Sequence, residues 1–136
     1  MQGSGILDQT YESFRTLALM DRAQAAINTI AWLGPCIGPA AFEVGPEVRE
    51  VFVGGHPGAA ACFTPAGPGK YLADLAGLAR LRLQALGITQ VYGNNSSLLW
   101  CTVTQASRFF SHRRDAGVHG NGFNTTGRMA ACIWRE

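Results

Sequence analysis

Three Gly-Pro steps fall within one short stretch of this chain, at Gly34-Pro35, Gly38-Pro39 and Gly45-Pro46. Proline fixes φ and withholds an N–H, and glycine reverses the backbone without steric cost, so no helix or strand runs through this region. Elsewhere Gly, Pro, Arg or Asp interrupts each apolar run well before the ~20 residues that a membrane span needs. The chain therefore has to be assembled from short elements joined by tight turns, which predicts a soluble protein. Its 136 residues suffice for one compact domain and not for two, so residues 1–136 are read as a single domain.

Between the turns, hydrophobic periodicity alternates between helical and extended. Ile6, Phe14, Leu17, Ala18 and Ile27 recur at roughly helical spacing, with Asp8 and Glu12 at the front where the helix dipole favours acids, so a helix, with a break allowed, is expected over 6–27. Thr29–Leu33 reads as a buried strand ending at Gly34-Pro35. Pro46 stands where a first helical residue would, opening a short helix that ends at Gly54-Gly55. The Gly-, Pro- and Ala-rich residues His56–Gly69 read as an exposed loop around a short apolar segment. Asp74 is a plausible N-cap for a helix with Leu75, Leu78, Leu81 and Leu86 on a broad apolar face, closed by Gly87. Strands are expected at Ile88–Tyr92, Leu98–Val103, Arg108–Ser111 and Met129–Trp134. Alternating helices and strands define an α/β domain.

Hydrophobic residues make up 47% and charged residues 15% of the chain, against ~25% charged in an average soluble domain. Such a surface is expected to be partly apolar and to take part in a homo-oligomer or an obligate complex. A net charge of +2 is too mild to call for nucleic acid or a membrane as partner. Cys36, Cys62, Cys101 and Cys132 form no CxxC pair, and the N-terminus has neither a basic nor an apolar leader region, which predicts a reduced, cytoplasmic protein. Cys36, Cys62 and Cys132 lie in apolar surroundings and read as buried small hydrophobes. Cys101, His112 and His119 could together offer thiolate and imidazole to zinc, but their spacing matches no recognised ligand pattern.

Three passages stand out: WLGPCIGPAAFEVGPEVREVF at Trp32–Phe52, KYLADLAGLARLRLQALGI at Lys70–Ile88, and CTVTQASRFFSHRRD at Cys101–Asp115 followed by TGRMAACIW at Thr126–Trp134. In RFFSHRRD, Arg108, Arg113 and Arg114 lie beside two aromatics. Guanidinium groups bind phosphate bidentately and stack on planar rings, so this segment could hold a phosphate or a nucleobase. A salt-bridged strand edge with Phe109 or Phe110 in the core accounts for the same residues.

In order and spacing the three passages resemble the laccase-domain family, also described as multicopper polyphenol oxidoreductases or purine nucleoside phosphorylases and linked to peptidoglycan editing. The resemblance covers nearly all of Thr29–Trp134. It implies a layered α-β-β-α sandwich and phosphorolysis of adenosine, inosine and methylthioadenosine, with adenosine deamination and polyphenol oxidation as further family activities. The partners it implies are a purine nucleoside with phosphate, or a phenolic small molecule.

It also implies zinc or copper, held by two His and one Cys of the family's N-terminal half, the last in an AHAGWRG motif. None of these ligands occurs in this sequence. Gly3–Thr10 resembles the stretch directly after that motif, so the expectation is a member incomplete at its N-terminus. Arg113 and Arg114 match the family's RRD element and are the expected substrate contacts. The chain departs from the family pattern at Asn94–Trp100 and Ala116–Thr125, both longer and loop-like. A non-catalytic oligomerisation or scaffold domain is the alternative reading.

Overall fold

The computed structural model describes residues 5–116 and 126–133. The helical stretch expected over 6–27 is broken into helix α1 (Ile6–Leu17) and helix α2 (Arg22–Asn28), and the break falls at Leu19, which adopts φ 53°. Asp21 opens α2 by accepting a hydrogen bond from the Gln24 N–H at 2.9 Å, satisfying one of the donors that a helix start leaves without an internal partner. Strand β1 (Ile30–Leu33) stops at the Gly-Pro turn, and β2 (Glu43–Val44) leads into helix α3 (Pro46–Gly55), with Pro46 in its first turn.

A 3₁₀ segment at Pro57–Cys62 and strand β3 (Phe63–Gly67) follow, paired antiparallel with β4 (Lys70–Ala73). The expected exposed loop at His56–Gly69 is thus half of a hairpin. Ala59 and Phe63 are buried, and their burial holds the Gly- and Pro-rich segment in place. Pro65 is accommodated because β3 is an edge strand in the order β2-β4-β3, where a missing N–H can face away from the ladder. A bulge falls between Pro65 and Gly67.

Helix α4 (Leu75–Ala85) begins at Asp74, whose carboxylate accepts from the Gly77 N–H at 2.9 Å. It ends in paired reverse bonds: the Gly87 N–H donates to the Gln84 carbonyl at 2.9 Å and the Ile88 N–H to the Leu83 carbonyl at 3.0 Å. This motif requires a left-handed residue after the cap, supplied by Gly87 at φ 85°, and it brings Ile88 against Leu83. Strand β5 (Gln90–Gly93) then pairs with β1 in parallel, Ile30 opposite Gln90 and Leu33 opposite Gly93.

Two apolar clusters result. One gathers Val44, Ala59, Phe63, Ala73 and Leu78, flanked by Leu81, and the other gathers Tyr11, Ala25, Leu83 and Ile88, flanked by Leu33, Leu86 and Val91. Helix α4 contributes to both, so it is apolar on two sides, as a helix sandwiched between layers must be. The fold is α/β. The opposite face of the β1–β5 pair is open, with Ile30, Trp32 and Tyr92 exposed, although parallel strands are ordinarily covered on both faces.

Three of the expected strands do not form among the described residues. Leu98–Trp100 forms a 3₁₀ turn, and only Cys101 makes a bridge, to Cys36. Residues 108–111 pair with no strand, and helix α5 (His112–Asp115) follows directly. Residues 129–133 of the last expected strand carry no regular structure. Leu98, Leu99, Phe110 and Ile133 are more than half exposed. An apolar run without a ladder partner has its backbone groups unpaired and no reason to stay extended.

Candidate functional site

The chemistry-bearing residues gather where the GPCIGP turn, the end of β5 and the segment from Cys101 to Asp115 meet. Asn94, 2% exposed, donates from Nδ2 to the Gly34 carbonyl at 3.1 Å and to Cys36 Sγ at 3.3 Å. Its own carbonyl accepts from Arg80 at 2.7 Å. Its Oδ1 accepts from the Ser96 N–H at 2.9 Å, and the Ser96 hydroxyl donates to Asp74 Oδ1 at 2.6 Å. Ser96 sits at φ 69°, a left-handed conformation that a non-glycine residue keeps only where its surroundings fix it. The cap of α4 and the turn after β1 are thus joined through one polar chain. Asn94–Trp100 is loop-like in sequence, and composition alone does not reveal this role. The signal was the Asn-Asn-Ser-Ser run itself, whose short polar side chains bond their own backbone.

Cys101, 1% exposed, packs beside this chain, its Sγ accepting from the Gly38 N–H at 3.2 Å. Burial alone raises its thiol pKa, but donors from Thr104, Gly38 and Val103 outweigh it and hold the thiol below its ordinary value. Burial pushes the Cys36 thiol up, with the Asn94 hydrogen bond opposing that. Cys132, expected to be buried, is exposed, and Cys36 and Cys62 are half-buried. The most buried cysteine is the one singled out as a metal candidate.

Arginines 113 and 114 are neighbours in sequence and differ in role. Arg114 spends its guanidinium on the protein: Nη1 donates to the Thr102 carbonyl at 2.6 Å and Nη2 to the Phe109 carbonyl at 2.9 Å, while Nε reaches Asp115 Oδ1 at 2.7 Å. Asp115 also accepts from the Ser111 N–H and the Thr126 hydroxyl. Arg114 first, with these donors, holds the Asp115 carboxyl down to about 2. Arg113 is exposed. Its guanidinium lies 5.7 Å from the centre of the Phe42 ring and donates to the Glu43 carbonyl at 3.2 Å. Leu99, Trp100 and Arg108 line an open hollow of about 180 Å³, smaller than the ~300–1,000 Å³ of a usual small-molecule pocket.

His112 lies on the exposed side of α5, and His119 lies outside the described residues. Among the described residues no three His, Cys, Asp or Glu side chains converge so as to hold a metal ion. Cys101 has its sulfur turned to a backbone N–H, and it does not form such a group with His112. The residues described do not fit a zinc or copper centre.

The comparisons with known proteins agree on the family. Residues 4–136 match the family described as multi-copper polyphenol oxidoreductase laccase. The chain is 44% identical over 131 residues, 96% of its length, to a purine nucleoside phosphorylase of Escherichia coli, YfiH, covering 45% of that protein. It is 42% identical over 134 residues to a purine nucleoside phosphorylase of Haemophilus influenzae, covering 97% of this chain and 47% of that one. Among solved structures, Neisseria meningitidis protein NMB0706 matches with TM-score 0.64 and 43% identity, over 75% of this chain and 40% of the other. YlmD from Geobacillus stearothermophilus matches with TM-score 0.65 and 27% identity, over 80% and 38%. The chain belongs to the multi-copper polyphenol oxidoreductase laccase family. It spans about half the length of the curated relatives it matches.

Two outcomes follow from the arginine geometry. Arg114→Ala strands several carbonyls and a carboxylate, and is expected to lower unfolding free energy by about 2–3 kcal/mol in urea titration, whereas Arg113→Ala changes it by under about 0.5 kcal/mol. Arg114→Lys recovers little, because an ammonium cannot reproduce the planar fork. The second concerns acid. A carboxyl with a depressed folded pKa adds stability that is complete above its unfolded value, 3.8, and is lost as pH falls toward about 2, because the unfolded chain binds the proton first. Thermal melts across that window are expected to fall more steeply for the wild type than for Asp115→Asn. Parallel slopes would show that Asp115 contributes nothing to the acid response.

Proposed function

We propose that this chain supplies the anion-contacting part of a purine nucleoside phosphorylase site, with a purine nucleoside and phosphate as substrates. Kinship with curated purine nucleoside phosphorylases over nearly its whole length is the observation that carries this reading, and the arginine pair gives it a chemical form. Arg113, exposed and set over Phe42, offers N–H donors to a phosphate and a flat cation to a ring. Arg114 acts through position, fixing α5 against the Thr102 and Phe109 carbonyls so that Arg113 is presented in one place. In phosphorolysis a phosphate oxygen bonds to the ribose C1′ as the bond to the purine nitrogen breaks, and the purine leaves with a proton. Neutralising phosphate beside the sugar is the share of that work which Arg113 can do. The zinc or copper associated with the family would need ligands from beyond the described residues. Adenosine deamination and phenol oxidation are the other family activities to be tested beside it.

The test is to incubate the folded protein with adenosine and phosphate, with zinc or copper added in parallel, and to separate the products. Adenine with ribose 1-phosphate is expected, falling at least about tenfold in Arg113→Ala, the equivalent of one charge-assisted hydrogen bond. Inosine instead would replace phosphorolysis by deamination, and no product under any condition would overturn the catalytic reading.

The open face of the β1–β5 pair supports a second reading, in which the chain serves as an oligomerisation or scaffold domain. Ile30 is 60% and Tyr92 55% exposed there, and a parallel pair left so is incomplete as a layer. A homo-oligomer that covers this face is compatible with either reading. Light scattering is expected to give at least a dimer, reduced to monomer by Ile30→Lys, and a monomeric wild type at high concentration would sink the proposal. A cytoplasmic setting fits its four free thiols. Among the described residues no helix is long and apolar enough to cross a membrane.

A further inference from the structure

Cys36 and Cys101 face each other across an isolated parallel bridge. The Cys36 N–H donates to the Trp100 carbonyl at 3.2 Å and the Thr102 N–H donates to the Cys36 carbonyl at 2.9 Å. These two bonds flank Cys101 and fix its register opposite Cys36. Paired strands lie ~4.8 Å apart, inside the ~4.4–6.8 Å that separates the Cα atoms of a disulfide. Residues opposed in this way send their side chains to the same face.

The contacts around the sulfurs agree with that placement. Cys101 Sγ accepts from the N–H of Gly38, two residues beyond Cys36, so it rests on the turn that carries its neighbour. A Cβ on Gly38 would stand 2.9 Å from Cys101 Cβ, and glycine there is what lets the two segments close together. Cys36 Sγ accepts from Asn94 Nδ2 at 3.3 Å and donates to the Ile37 carbonyl at 3.4 Å, two weak bonds that a rotation about χ1 breaks. Cys36 is half-buried and Cys101 fully buried, which makes one thiol accessible to a small oxidant and the other accessible only to its partner.

We propose that Cys36 and Cys101 form a reversible disulfide by exchange with a low-molecular-weight disulfide. Access selects Cys36 over the more acidic but buried Cys101: the Cys36 thiolate, formed once a base takes the proton, attacks one sulfur of the small disulfide, forming a mixed disulfide as the other sulfur leaves and takes up a proton. The Cys101 thiolate then attacks Cys36 Sγ and expels the second small thiol. Two protein thiols and one small disulfide become one protein disulfide and two small thiols, and excess small thiol reverses both steps. The bond would tie the GPCIGP turn to the segment whose Thr102 and Val103 carbonyls hold Arg114. This inference stands apart from the proposed activity and needs no substrate.

A Cys62→Ala/Cys132→Ala variant leaves only the pair in question. After equilibration with glutathione disulfide, acid quench and alkylation under denaturant, mass spectrometry is expected to show a monomer lighter by two hydrogens, with no alkylated cysteine and no retained glutathione. Dithiothreitol restores both thiols. In the same background Cys101→Ala is expected to keep glutathione on Cys36, because nothing resolves the mixed disulfide. A persistent adduct on Cys36 with Cys101 still alkylatable, two unmodified thiols, or a covalent dimer would each overturn the proposal. Should the double variant fold poorly, the cross-linked Cys36–Cys101 peptide is sought in a digest of oxidised wild-type protein, and its absence overturns the proposal equally.

Discussion

Helix α4 has to be buried on two sides. Leu78 and Leu81 belong with the hairpin strands and Leu83 and Leu86 with α1, α2 and the parallel pair, so neither cluster closes without this one helix. Its polar residues tie the same surroundings together. Asp74 caps its start and accepts from Ser96, Arg80 donates to the Val91 and Asn94 carbonyls at the end of β5, and Arg82 donates to Asp8 on α1. The apolar contacts set how close the layers come, and the polar ones set their register. Disturbing the helix axis would therefore reach the turn at Gly34, through Asn94, before it reached the α5 arginines.

The candidate site depends on this frame at second hand. Asn94 fixes the turn that carries Cys36, Cys36 fixes the backbone on either side of Cys101, and the Thr102 and Phe109 carbonyls beyond it fix Arg114. Arg114 and Asp115 neutralise one another within a short helix whose Ser111 cap also bonds Asp115. Of these two adjacent arginines, the one turned outward is Arg113. An internal ion pair beside an exposed arginine positions charge without spending it, since the guanidinium that holds the geometry is not the one left exposed.

What could be read from the sequence was what local chemistry decides. Asp74 and Gly87 bracket α4 as expected, because capping and left-handed geometry depend on the residue at the cap. Ile30–Leu33 and Gln90–Gly93 are strands where β-branched and aromatic residues cluster. The Gly- and Pro-rich hairpin at Phe63–Ala73 was hidden, since burial of Ala59 and Phe63 by distant residues overrides local preference. Leu98–Val103 has strand composition but pairs only at Cys101, through its bridge to Cys36, and Arg108–Ser111 forms no strand; pairing is not written in either segment alone. The same limit applied at the site. RFFSHRRD signals two arginines together, but which one turns inward depends on the carbonyls of Thr102 and Phe109, and those are placed by the whole fold.

The parallel pairing of residue 30 with residue 90 has a consequence for how the chain acquires its shape. Everything from β2 to α4 lies between the paired strands and, apart from the Leu83 and Leu86 side of α4, makes its principal contacts within itself, through an antiparallel hairpin and its adjoining helices. Such contacts close short loops. The β1–β5 ladder, by contrast, closes a far longer one, and its entropic cost is incurred before any of its four register pairs contributes. This topology leads us to expect the intervening unit to form ahead of the pair, with the Cys36–Cys101 bridge, which extends the same long-range closure by a few residues, among the later contacts.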